Sequence, residues 1–256
     1  MGSKKNKNKR DDQPSTLVTA KLDAAVASAA PAPETAPPVA PIAIEEQGPF
    51  FNRYDWAAFI VSFLVTMVVY TLTLSPTVSL EDSGELATAG EYLGVPHPPG
   101  YPSWTMFVWI FAKLFAFVQF RGQPNPAWGV AFGSAFFGAL SAGITAMLVC
   151  RSGRDFLRTI KRRSAVMGLG SENAICWAGG VASSLLFAFS PYRFDHLAQL
   201  PQASMQWAPF ALWCFERYHA TGRWRWVAGF AAFALVQALA SLYLAVIFGL
   251  GIAIYV

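Results

Sequence analysis

The chain has 256 residues, 54% of them hydrophobic and only 13% charged, with a formal net charge of +4. A soluble domain usually has about a quarter of its residues charged, so the composition excludes an ordinary water-soluble globule and points to an all-α polytopic membrane protein. The basic excess is not a nucleic-acid signal, because the lysines and arginines flank apolar runs, where they set membrane orientation.

Residues 1–50 open with the basic tip "MGSKKNKNKRDD" and continue through "AAVASAAPAPETAPPVAPIAIEE". This Ala/Pro stretch has too little apolar bulk to fold alone, so a disordered cytoplasmic tail is expected ahead of a membrane domain over 51–256. The first apolar run starts too far from the N-terminus for a secretory signal peptide. That run, "WAAFIVSFLVTMVVYTLTLSP" (56–76), has the ~20 residues a span needs. "SWTMFVWIFAKLFAFVQF" (103–120) is shorter and carries Lys113 near its middle. "WGVAFGSAFFGALSAGITAMLVC" (128–150), "AICWAGGVASSLLFAFSP" (174–191) and "MQWAPFALWCFERYH" (205–219) follow. The last run, 226–256, is too long for one ordinary helix, and a turn is expected near Ser241–Tyr243. Because the chain stops inside this run, it is expected to be the N-terminal portion of a longer protein or a truncated reading frame.

Charge bias places the tail, "RSGRDFLRTIKRR" (151–163) and "ERYHATGRWRW" (216–226) on one side, the cytoplasm. An even number of crossings must then separate the tail from residue 151. Three runs lie between them, so 103–120 is read as a helix on the outer membrane surface, with Lys113 snorkelling. This gives external loops at 77–127 and 191–204. Cys150, Cys176 and Cys214 lie in or beside apolar runs without a CxxC spacing, as buried inert thiols do.

The first external loop carries "SLEDSGELATAGEYLGVPHPPGYPSW" (79–104). Asp82 and Glu85 stand three apart and share a face if the segment is helical, which suits paired carboxylate chemistry. Alternatively Asp82 caps that helix, since Asp-x-x-Glu is close to a capping box and Gly94 supplies a stop. The Pro98-Pro99 pair stiffens the chain after His97. With three histidines and no HxxxH or HxH, no metal site is assigned and His97 is read as conformational or substrate-contacting. A carboxylate pair serves as base or as ligand, so no cofactor is firmly implied and a divalent metal stays open.

An acidic pair just after the first membrane helix, then "DSGEL" and "LGVPHPPGYP", resembles the GT-C class of polytopic glycosyltransferases. Within that class the wording is similar to bacterial relatives of the protein O-mannosyltransferase that modifies IPT domains of plexin-type receptors, over about residues 60–150. The resemblance implies a GT-C-like transmembrane helix bundle with juxtamembrane helices in its first external loop. It implies transfer of a sugar from a polyprenyl-phosphate donor to an acceptor hydroxyl, on protein or glycan, at the outer face of the membrane with inversion. Asp82 matches the catalytic acidic position and is the expected general base, Glu85 is the second carboxylate, and Glu81, His97 and Tyr101 are expected to contact substrate.

The second loop, "SPYRFDHLAQLPQASMQW", departs from that wording. It offers Arg193, His196 and Gln199 as a cradle for the lipid phosphate, or is an ordinary solvated loop with Asp195 paired to Arg193. The expected setting is a bacterial inner membrane with the N-terminus cytoplasmic. A transporter component and a non-catalytic scaffold are the alternative readings. The scarcity of ionisable residues in the spans argues against transport.

Overall fold

In the computed structural model, residues 50–163, 172–195 and 200–255 are described, and most of them are helical. The expected N-terminal tail lies outside these residues, apart from its last position. Residues Pro49–Val256 form one unit.

Helix α1 (Arg53–Leu72) begins at a capping box: the Asn52 side chain accepts from the Tyr54 and Asp55 N–H groups, and the Asp55 carboxylate accepts from the Asn52 N–H. The box satisfies donors that a helix start leaves open. Helix α4 (Pro126–Arg163) and helix α5 (Glu172–Ala188) pack against α1. Helices α1 and α4 and the stretch Glu172–Arg193 are each long and apolar enough to cross a membrane.

Small residues let these helices approach closely. A Cβ at Gly180 of α5 would lie 2.6 Å from the Ala146 carbonyl oxygen of α4, and one at Gly143 would lie 2.9 Å from the Phe59 ring of α1. The "GSAFFGALSAG" stripe is thus used within the chain. Polar ties reinforce the contact: Ser184 Oγ donates to Ser62 Oγ at 2.7 Å, and the Tyr70 hydroxyl donates to the Ala188 carbonyl at 2.6 Å.

The segment 151–163, expected as a basic loop, is the continuation of α4. Charge marks where a helix leaves the apolar layer, not where its hydrogen bonding ends. Here an Arg151–Asp155 pair at i,i+4 and an Arg154–Asp55 ion pair hold the extra turns.

Between α1 and α4 lie helix α2 (Ser83–Tyr92), helix α3 (Pro102–Leu114) and two short antiparallel strands, β1 (Gln119–Phe120) and β2 (Gln123–Pro124). Leu86, Tyr101, Trp104, Val108, Ala112 and Val130 form the core that joins α2 and α3 to α4. The buried Trp104 indole N–H finds a partner in Ser134 Oγ at 3.1 Å. Helix α3 has 13 residues, too few for a span. Its Lys113 pairs with Glu91 of α2, so an ion pair holds the lysine that was expected to snorkel.

The second half contains α6 (Pro191–Asp195), a 3₁₀ turn (Leu200–Ala203), α7 (Trp207–Thr221), α8 (Arg225–Ala240) and α9 (Leu242–Tyr255). Helices α8 and α9 part at Ser241, which is extended with φ −160° and ψ 110°. The final apolar run breaks where its length required.

Candidate functional site

After α1 the chain reaches Glu81, whose φ of 56° is left-handed, and then Asp82 at the N-terminus of α2. The capping alternative is not realised, because the Asp82 side chain makes no cap hydrogen bond and only its backbone carbonyl enters the helix, accepting from the Leu86 N–H at 2.9 Å. The carboxylate instead faces His97, with Oδ2 3.9 Å from Nε2. Helix α2 stops at Leu93, which takes the left-handed conformation expected near Gly94, while the Gly94 N–H closes onto the Ala89 carbonyl at 2.9 Å.

The segment 94–101 then folds back over the start of α2. The His97 backbone N–H donates to Glu85 Oε1 at 2.5 Å, and His97 Nδ1 lies 3.1 Å from Glu85 Oε2. Gly100, at φ 73°, donates its N–H to the His97 carbonyl and completes the turn. Tyr101 is buried beneath, its ring edge-on to both His97 and Trp104.

The His97 backbone N–H, and then its ring, hold the Glu85 carboxyl below the usual carboxylate range. Burial pushes the Tyr101 phenol up, and the charges of Asp82 and Glu85 add to the effect. The ligand atoms of Asp82, Glu85 and His97 all lie within 4.8 Å of one another, so the cluster could hold a divalent cation. Two carboxylates and an imidazole suit such an ion. The i,i+3 spacing announced the carboxylate pair, and the fold back of 94–101 adds His97 to it.

Asp82 and His97 line an open groove of about 790 Å³, together with Pro98, Pro99 and Tyr101. Its facing wall is apolar, formed by Leu242, Tyr243, Val246 and Ile247 of α9. Tyr192, Pro201 and Gln202 also line it. Tyr192 and Gln202, joined by a 3.2 Å hydrogen bond from the tyrosine hydroxyl, line a second cavity of about 260 Å³ as well.

That second cavity contains Arg193, Tyr70 and Ser83, with the hydroxyl-bearing Thr73, Ser75, Thr77 and Ser79 around them. Arg193 is buried, donates to the Ala203 carbonyl at 3.3 and 3.5 Å, and lies over the Phe187 ring at 4.4 Å. Its Nε and the buried Ser83 Oγ have no hydrogen-bond partner among the described residues. Arg193 is therefore not the exposed arginine of the solvated-loop reading, because the 3₁₀ turn and α5 close over it.

Of the sequence-derived candidates, Asp82, Glu85, His97 and Tyr101 come together, and Arg193 lies in the adjoining cavity. Glu81 is exposed and lines neither cavity. His196 and Gln199 lie outside the described residues, as does the side chain of Asp195. Sequence reading missed Tyr192 and Gln202, although both stand in the polar second loop. It also missed Tyr243, whose place in the groove has no local signal.

A family model described as the Protein O-mannosyl-transferase TMEM260 N-terminal domain matches residues 82–255. A Protein O-mannosyl-transferase tmem260 of Dictyostelium discoideum is 31% identical over 86 residues, covering 34% of this chain and 10% of that protein. The Protein O-mannosyl-transferase TMEM260 of Mus musculus is 37% identical over 123 residues, 48% of this chain and 16% of that protein. The matched stretch thus spans less than a fifth of either relative. No solved structure matches the chain. These relatives are eukaryotic, which overturns the expected bacterial inner membrane. Apolar length and basic flanks look alike in any bilayer and carry no record of the organism.

Proposed function

The chain belongs to the family of the Protein O-mannosyl-transferase TMEM260 N-terminal domain, and we propose that it bears the catalytic loop of a membrane glycosyltransferase with Asp82 as its base. The reaction moves a sugar, mannose on the strength of the relatives' names, from a polyprenyl-phosphate carrier to an acceptor hydroxyl. The acceptor oxygen attacks the anomeric carbon as the bond from that carbon to the phosphate oxygen breaks. The lipid phosphate leaves with the electron pair, the acceptor proton passes to Asp82, and the configuration inverts. Positioned proton transfer of this kind contributes about 10²–10⁴ in rate.

One observation carries the reading: the groove with Asp82 and the cavity with the buried Arg193 share Tyr192 and Gln202. A base and a cation on either side of one wall suit a displacement whose leaving group is a phosphate. The apolar face of α9 across from Asp82 suits a prenyl chain. In this reading residues 51–256 are a GT-C-like polytopic domain behind a 1–50 tail, and the loops 77–127 and 191–204 share one face of the membrane.

The test is Asp82→Asn in membranes supplied with labelled polyprenyl-phosphate mannose. Transfer is expected to fall at least about 10²-fold, and wild-type activity in the variant would remove Asp82 as the base. Arg193→Met is expected to weaken donor use while leaving the groove's acceptor side unchanged.

A further inference from the structure

We propose that Gln237 is a positioning residue that fixes the wall shared by the two cavities, an inference that rests on the functional reading above. Helix α8, "RWVAGFAAFALVQALA", is apolar after its first residues except for this one amide. Gln237 is fully buried. A buried amide is costly unless it is hydrogen-bonded, and both ends of this one are. Its Nε2 donates to the Ser204 carbonyl at 2.8 Å, and its Oε1 accepts from the Ala208 N–H at 3.2 Å.

Those two backbone groups bracket the junction between the 3₁₀ turn and α7. The first N–H groups of a helix lack regular partners. The Ala208 N–H otherwise reaches only the Met205 carbonyl, at 3.3 Å. Gln237 therefore supplies from α8 the hydrogen bonding this junction lacks. On the opposite side, Ser141 of α4 accepts from the Met205 N–H at 3.2 Å. The segment is held from two helices at once.

That segment carries the wall. Pro201 and Gln202 line the groove, Gln202 also lines the Arg193 cavity, and the Ala203 carbonyl takes the Arg193 guanidinium. One turn beyond Gln237, α8 ends at Ser241 and delivers Leu242 and Tyr243 to the facing wall. A single amide thus fixes the wall bearing Arg193's partner relative to the helix that faces Asp82. Packing alone gives no reason for an amide here, since a methionine fills the same space in an apolar helix.

The experiment compares Gln237→Met with Gln237→Glu by two readouts. The first is maleimide labelling of a Gln202→Cys reporter, against a background of three buried native thiols. Gln237→Met is expected to speed that labelling about tenfold, and an unchanged rate overturns the proposal whatever the activity does. The second is transfer kinetics without the reporter. Gln237→Met is expected to raise the donor KM about tenfold with kcat within about twofold. Faster labelling without a KM change also overturns it.

The Gln237→Glu variant separates positioning from misfolding. While protonated, the introduced carboxyl accepts from Ala208 and donates to Ser204 as the amide does. Once ionised it can only accept, and the Ser204 bond is lost. Wild-type KM and labelling are expected at low pH, giving way to the methionine phenotype as pH rises and the buried carboxyl ionises, burial having raised its pKa. Methionine-like behaviour at every pH overturns the proposal. If the wild-type chain transfers no polyprenyl-phosphate sugar, the functional reading fails separately, and the labelling results decide whether Gln237 holds the wall.

Discussion

Removing the Asp55 carboxylate is expected to be the most damaging single change in the bundle. Asp55 is fully buried at the start of α1, and Arg154 is 3% exposed three-quarters of the way along α4. The guanidinium meets the carboxylate as a fork, Nη1 to Oδ1 at 2.6 Å and Nη2 to Oδ2 at 2.5 Å. The same carboxylate also accepts the Asn52 N–H in the capping box. Asp55→Ala leaves a buried guanidinium uncompensated, which costs about 3–5 kcal/mol. The lost hydrogen bond to the Asn52 N–H adds about 1 kcal/mol. Against a typical stability of about 5–15 kcal/mol, that is enough to unfold much of the population under mild denaturant. Replacing both partners by apolar residues, Asp55→Leu with Arg154→Met, removes the orphaned charge and is expected to recover most of the loss. The assay is denaturant unfolding of the detergent-solubilised protein followed by tryptophan fluorescence, with the wild type, Asp55→Leu, Arg154→Met and their double variant arranged as a double-mutant cycle beside Asp55→Ala. A loss under about 1 kcal/mol for Asp55→Ala, or additive effects in the pair, would refute the assignment of this ion pair as the lock between α1 and α4.

Gly90→Ala should loosen the site from below: the new Cβ would lie 2.8 Å from Val130 Cγ2 and 3.0 Å from Val108 Cγ2, and both valines are fully buried. A loss of about 1–3 kcal/mol is expected from this overpacking, read as a lower midpoint in thermal unfolding. The depressed Glu85 pKa gives a pH signature. A carboxyl lowered in the folded state contributes above its unfolded pKa and loses that contribution as pH falls through the folded one. Protection of the His97 amide from hydrogen exchange should therefore drop in acid, and Glu85→Gln should abolish the pH dependence; a wild-type protection factor flat to pH 2 would contradict the contact. For the cation-competent cluster, titration with Mn²⁺ is expected to show saturable binding that His97→Ala weakens at least about tenfold. Identical isotherms for the two proteins would exclude His97 as a ligand.

Much of the fold could be read locally, and the failures share a cause. Helix α1 follows from the apolar run at 56–76, the break near Ser241 from the length of the last run, and the α2–α3 reversal from "LGVPHPPGYP". The helical continuation to Arg163 was missed because its support comes from Asp55, 99 residues away, and from a pair inside the helix itself. Asp82 shows the same limit at the site. Its identity and its position at the start of α2 favour a cap, yet the 94–101 segment folds back and presents His97 to the carboxylate instead. Arg193 reads as a loop cation, and only the packing of α5 and the 3₁₀ turn reveals it as buried, in one cavity with Ser83, whose Oγ has no partner among the described residues. The α9 wall of the groove was not legible at all, since Leu242 and Tyr243 lie some 160 residues beyond Asp82 with no motif between them.

The geometry also divides the labour between the two carboxylates of the proposed site. Glu85 is occupied twice by His97, through the backbone N–H at 2.5 Å and the ring at 3.1 Å, and does not line the groove. The Asp82 carboxylate makes no hydrogen bond among the described residues, has the His97 ring 3.9 Å away, and does line the groove. A base needs an oxygen lone pair open to the substrate, and an orienting group needs fixed partners. Within the proposed mechanism Asp82 is therefore the proton acceptor, and Glu85 holds His97 and the proline turn in register. A cation bound by all three would take up that Asp82 lone pair. Metal binding and general-base action by Asp82 are then competing states of one cluster, and Mn²⁺ that saturates the cluster should inhibit transfer if Asp82 is the base.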